Sequence, residues 1–493
     1  MSQVRATTTA GTVRGETIPE GSVFKGIPFA APPVGVRRFR PPEPVSPWQG
    51  VRDATTFGPA CPQRPGPPLP WPFLRKLTEI PVPLNEDCLY LNVWTPAADG
   101  ARRPTMVWIH GGAFTTKTGA AWPFDGTSFI RDNIVLVTIN YRLGPFGFLY
   151  LDDLFDGASH TGNLGLLDQI AALQWVRDNI AAFGGDPNNV TVFGESAGSM
   201  SIATLLGMPS ARGLFRRAIL QSGGQMYHTT EIASNVAQDV LAQVGVRAGD
   251  WDELAAVPAQ QLVAANPPRP EFPPFPFLPV LDGVTLPDAP TRLIAGGNAS
   301  EVELIVGCTA DEWRLLHFTF PPGALPAPDL ATLFAASGAP TDKIYAAYAE
   351  ASVGATERDV YAAIQTDQLF TIPITRITEA QLRHTNRVWM YRFDWSTPIL
   401  EGILGAFHEL DVPFTFEHYD DPDLLGDAPP QQLGSALHGA WVRFATSGDP
   451  NGGILPQWPC YDLQRRQVLL FNTPCTVVEN PRSEIRQFWE HVV

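Results

Sequence analysis

The chain contains few cysteines, no long apolar run and fewer basic than acidic side chains. Five cysteines among 493 residues, none spaced as Cys-x-x-Cys, exclude a disulfide scaffold and provide no zinc motif. No apolar run approaches the roughly 20 residues of a membrane span, and the N-terminus lacks the apolar segment of a signal peptide. We therefore expect a cytoplasmic protein without a membrane span, with a secreted protein as the alternative if a leader has been removed. The formal net charge of -16 argues against nucleic acid as a partner, because an acidic surface repels phosphates.

Internal repeats and low-complexity linkers are also absent from the sequence, so nothing divides the chain into independent halves. Hydrophobic residues make up 44% of the chain, which is enough for a large core and excludes wholesale disorder. We expect a single domain over residues 1–493, as a monomer or a small homo-oligomer. Within it, the alanine-rich region from about 320 to 385 shows helical patterns and is predicted to form a helical subdomain.

The central part of the chain alternates strand-like runs with a helical pattern. Residues 105–109 and 134–139 are almost wholly apolar, as expected of strands that are buried on both faces of a mostly parallel sheet. Before the next such run at 190–193, apolar residues step by three or four and form one helical face: Leu166, Ile170, Leu173, Val176, Ile180 and Phe183. This order predicts a doubly wound α/β unit, with helices on both sides of a central sheet.

Two stretches combine the abundant proline of this chain, 49 residues in all, with aromatic side chains. They span residues 62–83 and 267–279, and both are predicted to be loops over the core. Aromatic and proline residues at this density either line a binding cleft or cap the core. The sequence does not decide between these two roles.

A Gly-x-Ser-x-Gly pentapeptide follows directly on the strand-like run 190–193. Its glycines, Gly194 and Gly198, leave room for a tight turn from a strand into a helix, and such a turn presents Ser196 as a nucleophile. The alternative is a glycine-rich turn with an ordinary serine, since the motif occurs by chance in many chains of this length. The pentapeptide alone does not choose between them.

Acyl transfer from a serine also needs N–H donors that stabilise the oxyanion. The strand at 105–109 is followed by His110 and by a segment with little side-chain bulk, Gly111 to Ala113. The lack of bulk lets backbone N–H groups point into a cavity and approach a substrate oxygen. An oxyanion loop is therefore favoured over a plain glycine turn, and His110 is expected to brace this loop rather than to titrate.

The base and the carboxylate that orients it should follow the nucleophile along the chain. Among nine histidines, His408 is the strongest candidate, because it follows a small-residue loop and precedes an apolar run. The strand-like run 303–309 leads into Asp311 and Glu312, either of which could orient the histidine. The physics of the sequence does not choose between these two acids, and a solvated loop carboxylate is the alternative for each.

Further blocks along the chain carry a resemblance to a known family. The chain resembles the type-B carboxylesterase/cholinesterase family of the α/β-hydrolase fold nearly from end to end. Beside the two motifs above, the blocks are FKGIPFA at 24–30, PPVG at 32–35, EDCLYLNV at 86–93, NYRLGPFG at 140–147, the unbroken stretch 163–198, GDPN at 448–451 and Trp458 with Pro459. The resemblance implies a large, mostly parallel central sheet flanked by helices, with helical and loop regions inserted over the active site.

The resemblance also implies a function and site residues. The protein would be a serine carboxylester hydrolase that acts on small-molecule esters, without a metal or a cofactor. The nucleophile would be Ser196, the base His408 and the acid Glu312. The oxyanion would be bound by the backbone N–H groups of Gly112, Ala113 and Ala197, with Glu195 as a second buried carboxylate and Ser222 as a serine that steadies the acid.

Other matches to the family pattern are structural. The pairs Arg38 with Glu86 and Arg142 with Asp168 resemble ion pairs that brace the core, and Cys61 with Cys88 matches a pair that closes a loop. A reducing cytosol would keep both thiols free. Trp313 departs from a glycine common after the acid, which places a large ring near the triad or the adjacent loop.

The substrate class follows less directly. Apolar and aromatic loops favour neutral esters with hydrophobic acyl or alcohol parts. One alternative is cleavage of amides or carbamates by the same triad. A second and weaker alternative is a non-catalytic binding member of the fold, which this chain disfavours because it retains every catalytic part.

Overall fold

The strands form one large sheet in the computed structural model, which describes residues 3–64, 76–268, 275–319, 329–352, 354 and 356–492. Within these residues, thirteen strands join in one sheet and two further strands pair with each other. The strands are β1 (Gln3–Thr7), β2 (Thr12–Ile18), β3 (Gly21–Pro28), β4 (Val51–Asp53), β5 (Tyr90–Thr95), β6 (Arg103–Ile109), β7 (Val135–Ile139), β8 (Gly185–Glu195), β9 (Arg217–Gln221), β10 (His228–Thr229), β11 (Val280–Leu281), β12 (Glu303–Thr309), β13 (Val388–Phe393), β14 (Gln467–Phe471) and β15 (Thr476–Glu479).

The order of the sheet is β1-β2-β3-β5-β7-β6-β8-β9-β12-β13-β14-β15, with β4 beside β2. All pairs from β7 through β14 are parallel, as is the pair of β2 with β4. The pairs β1-β2, β2-β3, β3-β5, β5-β7 and β14-β15 are antiparallel. The predicted large, mostly parallel sheet is therefore confirmed. Because β6, β8, β9 and β12 run in the same direction, their carboxyl ends meet at one edge of the sheet.

Successive side chains of the central strands pack into two apolar clusters, one on each face of the sheet. In β6, Val107 and Ile109 belong to one apolar cluster, whereas Met106 and Trp108 belong to another. Since the side chains of a strand point to opposite faces in turn, the sheet is buried on both sides. Helices cover both faces, which gives three layers.

The α-helices of the described residues are α1 (Thr127–Arg131), α2 (Gly144–Phe148), α3 (Leu164–Asn179), α4 (Ala197–Gly207), α5 (Thr230–Val244), α6 (Trp251–Ala256), α7 (Ala259–Ala264), α8 (Pro290–Ala295), α9 (Glu312–Thr319), α10 (Leu330–Leu333), α11 (Thr341–Ala351), α12 (Glu357–Thr366), α13 (Ile372–Gln381), α14 (Val412–Thr415), α15 (Pro422–Leu425), α16 (Gln431–Ser447) and α17 (Ser483–Trp489). The predicted helix over 166–183 is α3 with a following 3₁₀ turn, and it ends at Gly184 in the left-handed conformation (φ 82°). No helix of the described residues is long and apolar enough to cross a bilayer.

The region predicted to be helical contains α10 to α13 and a π-helical turn at Asp367–Thr371. A capping box starts α12, because Thr356 and Asp359 each accept a hydrogen bond from the backbone N–H of the other. The helices share their own apolar cluster, and α17 from the end of the chain contributes Ile485, Phe488 and Trp489 to it. Residues 320–328 lie outside the described part, and the division of the chain into domains stays a prediction.

Candidate active site

Ser196 lies on a sharp turn between β8 and α4. Its backbone has φ 54° and ψ -123°, a conformation that L-residues rarely adopt and that the surrounding structure must enforce. A Cβ on Gly198 would lie 1.9 Å from the carbonyl oxygen of Ile109, and a Cβ on Gly194 2.6 Å from the same atom. The backbone N–H of Ser196 donates to the carbonyl of Gln221 (3.0 Å). Both glycines are thus required by close backbone contacts, and the turn lifts Ser196 out of the sheet.

The segment after β6 forms a turn beside Ser196. Gly112, Ala113 and Phe114 all have positive φ (101°, 51° and 58°), and the carbonyl of Gly112 accepts from Thr115 (2.9 Å) and Thr116 (3.0 Å). We call residues 112–117 the oxyanion turn. This geometry turns the peptide N–H groups away from the sheet.

Three backbone N–H groups around Ser196 are unoccupied. Among the described residues, no hydrogen bond uses the N–H of Gly112, Ala113 or Ala197 as its donor. His110 braces the turn: it is buried, its ring stacks on Tyr141 (4.6 Å between centroids), and burial lowers its pKa to about 3. The site therefore has free N–H donors beside a neutral histidine, which is suited to binding an oxyanion.

His408 and Glu312 contact each other across the carboxyl edge of the sheet. The Nδ1 of His408 donates to Oε2 of Glu312 (2.5 Å), and Oε1 of Glu312 accepts from the N–H of Thr309 (2.7 Å). The Glu312 side chain is fully buried, and the His408 ring packs on Phe370 (4.9 Å). Both oxygens of the acid are satisfied, so the imidazole is held in one orientation.

Asp311, the other acid that the sequence left open, has a different position. Its N–H donates to the carbonyl of Ala406 (2.9 Å), and its Oδ2 accepts from the N–H of Ala406 (3.0 Å). A Cβ on Gly405, which has φ 60°, would lie 2.2 Å from this oxygen. Asp311 thus anchors the loop that carries His408 and makes no hydrogen bond to the imidazole among the described residues.

Glu195 lies on the other side of the imidazole. Its Oε1 is 3.1 Å from Nε2 of His408 and has no hydrogen bond of its own in the described residues. Burial raises the pKa of Glu195 well above its ordinary value, against the opposing charge of His408. Burial lowers the pKa of His408, but Glu195 and Glu312 outweigh this effect and raise the pKa to about 9. The imidazole therefore lies beside a second buried carboxylate.

The sequence did not point to Asp411, which fixes the loop that carries His408 through hydrogen bonds to residues of two strands. This fully buried carboxylate accepts from Nε2 of Gln221 (3.0 Å) and from the hydroxyl of Tyr391 (3.0 Å). Burial raises its pKa to about 6. Gln221 is oriented in turn by Nε1 of Trp441 (3.0 Å). A carboxylate three residues after the candidate base was the available signal.

Ser222 does not make the contact expected of it. Its hydroxyl is buried and has no hydrogen-bond partner among the described residues. No hydrogen bond to Glu312 is formed among the described residues, where the oxygens of this acid accept from Thr309 and His408. The backbone N–H of Ser222 donates to the carbonyl of Gly307 (2.8 Å), which joins the ends of β9 and β12.

Trp313 is the large residue that directly follows Glu312. Its backbone N–H donates to the hydroxyl of Thr366 (3.1 Å). Its side chain is buried in an apolar cluster of the core, and it is not among the described residues that line the cavity over Ser196. The ring is therefore part of the core.

The predicted structural ion pairs are formed, with Arg142 and Asp168 buried and Arg38 and Glu86 partly buried. Arg142 binds Asp168 through two nitrogens (2.7 and 2.8 Å), and Nε of Arg38 donates to Glu86 (2.7 Å). Cys61 and Cys88 are both buried free thiols.

A cavity of about 210 Å³ opens over Ser196. The oxyanion turn, His408 and Glu195 line it together with side chains from both proline-rich loops, so the described ends of these loops line a cleft. Pro65, Pro67, Pro68, Pro70, Trp71, Pro72, Phe73 and Phe272, which we also assigned to these loops, lie outside the described residues. The apolar lining consists of Leu77, Phe114, Met200, Phe275, Leu278, Leu315, Leu316 and Phe370.

A serine on a strand-to-helix turn, a histidine held by a buried glutamate, and free N–H donors in one cavity define a serine hydrolase of the α/β class. No group of three His, Cys, Asp or Glu side chains in the described residues is placed to hold a metal ion.

Comparisons with known proteins specify the family. The model of the carboxylesterase family matches residues 2–489. The chain is 41% identical to para-nitrobenzyl esterase of Bacillus subtilis, covering 99% of this chain and 98% of that protein. It is 37% identical to phenmedipham hydrolase of Pseudarthrobacter oxydans, covering 94% of each. The crystal structure of carboxylesterase EST55 of Geobacillus stearothermophilus superimposes with a TM-score of 0.87 at 39% identity, over 99% of this chain and 100% of that one.

The chain therefore belongs to the carboxylesterase family, and the predicted α/β-hydrolase fold is confirmed. It is a serine carboxylic ester hydrolase, as its sequence and structural relatives are. Amide hydrolysis, which the sequence had left open, is not favoured by these matches.

Proposed function

We propose that the protein cleaves small-molecule carboxylic esters with neutral, hydrophobic groups through an acyl-enzyme on Ser196. The observation that carries the proposal is the convergence of Ser196, His408 and the free N–H groups of the oxyanion turn on one mostly apolar cavity. The reaction uses only side chains and backbone of this chain and needs no cofactor.

In the first step, Oγ of Ser196 attacks the ester carbonyl and Nε2 of His408 accepts the proton. Glu312 keeps Nδ1–H oriented through its 2.5 Å hydrogen bond and stabilises the imidazolium that forms. Nε2 must lie within about 3.2 Å of Oγ when substrate is bound, a contact that is often longer in free enzymes. Glu195, at 3.1 Å from Nε2, adds a second carboxylate beside the same positive charge.

The negative charge of the tetrahedral intermediate falls on the former carbonyl oxygen. Gly112, Ala113 and Ala197 would donate their N–H groups to it, since no other acceptor in the described residues uses them. His408 then protonates the leaving alcohol, and water attacks the acyl-enzyme by the same route. The positive φ of Gly112 and Ala113 presets the donors, so they need not reorganise during the reaction.

The cavity supports the substrate class. Leucine, methionine and phenylalanine side chains dominate its lining, and apolar groups gain free energy when they leave water for such a surface. Among the charged side chains of the wall, Lys117 pairs with Glu409, and Oε1 of Glu195 lies 3.1 Å from Nε2 of His408. Each carboxylate of the described wall therefore already faces a partner within the site, which favours neutral esters.

A cytoplasmic location and a monomeric or small homo-oligomeric state are proposed as well. Cell fractionation and light scattering would test these two points.

The test of the mechanism is a panel of p-nitrophenyl esters combined with an organophosphate. Ser196→Ala should lower kcat by at least about 10⁴-fold, and the organophosphate should label the wild-type peptide that contains Ser196. Ser210→Ala, at an exposed serine, is the matched control and should behave as wild type. Full esterase activity of Ser196→Ala would overturn the proposal.

The same panel tests the substrate class. Turnover should rise as the acyl or alcohol group becomes larger and more apolar until the cavity is filled, and should fall when a charge is added to either part. An anilide and a phenylcarbamate matched to the best ester should be cleaved more slowly. A preference for charged esters would contradict the assignment.

A further inference from the structure

A buried ion pair joins the oxyanion turn to the loop of the base. Nζ of Lys117 contacts Oε1 of Glu409, and their side chains are only 9% and 8% exposed. The two residues are 292 positions apart in sequence, and both line the cavity over Ser196. Lysine is scarce in this protein, which has four in 493 residues. One of these four is therefore buried beside the catalytic centre.

The backbone on both sides of the pair is fixed. The N–H of Lys117 donates to Oε1 of Gln63 (2.7 Å), and Nε2 of Gln63 returns a hydrogen bond to the carbonyl of Lys117 (3.0 Å). Glu409 has φ 77°, a left-handed conformation that disfavours a side chain with a Cβ. The contact of its side chain with Lys117, which a glycine would not make, compensates for this strain.

The charged groups around His408 show why the Lys117–Glu409 pair matters, since Lys117 neutralises a carboxylate next to the base. Four carboxylates and one cation lie around the imidazole: Glu195 from the end of β8, Glu312 from α9, Glu409 and Asp411 from its own loop, and Lys117 from the oxyanion turn. The charge of Glu409 raises the pKa of both His408 and Glu195, whereas Lys117 lowers that of Glu195. Without Lys117, the carboxylate next to the base in sequence would be buried and uncompensated.

We propose that the Lys117–Glu409 ion pair is a positioning device that holds the oxyanion turn against the loop of His408 and neutralises Glu409 beside the base. This inference rests on the proposed function, because it assigns the pair a role in the step that His408 and the oxyanion donors carry out. Removal of either partner leaves a buried charge without its counterion, which costs more than loss of the pair as a whole.

The test measures the pH dependence of kcat/KM for Lys117→Met, Glu409→Gln and the double variant. Since His408 must be neutral to accept a proton, kcat/KM rises with pH through its pKa. Lys117→Met leaves the charge of Glu409 beside the imidazole uncompensated, so this rising limb of kcat/KM should move to higher pH. At pH values below the new pKa, kcat/KM should be about threefold to tenfold lower than in the wild type. Glu409→Gln removes a carboxylate and should move the limb to lower pH. The double variant removes both charges, so its pH limb should lie between those of the single variants and near that of wild type, whereas kcat should fall because the turn is no longer held.

The control is Arg217→Met, which removes the cation of another buried pair, Arg217 with Glu303 (2.6 Å). Both residues lie at the amino ends of β9 and β12, whereas the candidate active site lies at the carboxyl ends. Arg217→Met should reduce stability and leave the pH limb in place. Lys117→Arg keeps the positive charge and should show the wild-type pH limb. This variant tests the role of the charge even if Lys117→Met does not fold.

Two results separate the inference from the function on which it rests. Wild-type limbs and wild-type kcat in folded Lys117→Met and Glu409→Gln, with Ser196→Ala inactive, would overturn the positioning role alone. An active Ser196→Ala would overturn the proposed function itself. The two variants remove charges of opposite sign, so their pH limbs should move in opposite directions. Limbs that move in the same direction would contradict the inference and would indicate general damage to the site.

Discussion

Nε2 of His408 lies 3.1 Å from Oε1 of Glu195, and no hydrogen bond of the described residues joins His408 to Ser196. Since Nδ1 binds Glu312 at 2.5 Å, the imidazole lies between two buried carboxylates. Such surroundings stabilise the imidazolium, which is the charge state that arises once the base has taken the serine proton. The surroundings of His408 in the free enzyme thus already stabilise the imidazolium that forms with the tetrahedral intermediate. The consequence is a raised pKa, so His408 releases its proton less readily.

Replacement of Glu195 tests this arrangement. Glu195→Gln removes one of the charges that raise the pKa of His408, so the acid limb of kcat/KM should move to lower pH. At the plateau, kcat should fall about tenfold, because the imidazolium loses one stabilising carboxylate. Glu350→Gln, an exposed change of the same charge, is the control in a pH–rate titration. A limb that does not move would show that Glu195 does not act on the base.

Asp311 and Glu312 should give different variants although they are neighbours. Glu312→Ala removes the partner of Nδ1 and should lower kcat by about 10³- to 10⁴-fold, in addition to the stability lost when the Thr309 N–H loses its acceptor. Asp311→Ala removes the acceptor of the Ala406 N–H and should cost about 1–3 kcal/mol in the free energy of unfolding. Denaturant titration and steady-state kinetics distinguish the two. Asp311→Asn keeps an acceptor oxygen and should lie close to wild type, and equal kinetic defects in both alanine variants would contradict these separate roles.

Gly111 is predicted to be required for the position of the nucleophile. A Cβ there would lie 2.8 Å from Oε2 of Glu195 and 3.0 Å from Cβ of Ser196. Gly111→Ala should therefore displace the serine and lower kcat/KM by about 10²-fold, since small misplacements of reacting groups have such effects. Gly100→Ala, where a Cβ meets nothing within 4 Å, is the matched control. Normal organophosphate labelling kinetics in Gly111→Ala would refute the prediction.

The C-terminal helix is predicted to stabilise the helical region. Trp489 donates from Nε1 to the hydroxyl of Tyr348 (2.6 Å) and packs edge-on against Phe334 (4.7 Å). Trp489→Ala should cost about 3–5 kcal/mol and should expose α10 to α12 to limited proteolysis. Trp489→Phe keeps much of the buried ring and should be cut more slowly. Unchanged proteolysis of the alanine variant would show that the helical region does not depend on α17.

Local sequence patterns were sufficient for the elements that position Ser196 and the oxyanion turn. The strands at 105–109 and 190–193 and the glycines around Ser196 are recognisable because short-range sterics and buried apolar runs determine them. The same patterns predicted the mostly parallel sheet. They did not predict that α17 would join the cluster of the helical region, because this contact spans more than a hundred residues.

The sequence by itself determined the strand-to-helix turn at Ser196, the bulk-free segment after β6 and the class of fold. Only the tertiary structure decided that Glu312 contacts His408 while Asp311 anchors the loop, that Ser222 makes no bond to the acid, and that Lys117 meets Glu409. The physical reason is distance along the chain: a turn depends on a few neighbouring residues. The partner of a buried charge depends on which loops the sheet brings to one edge, and spacing in the sequence does not encode that.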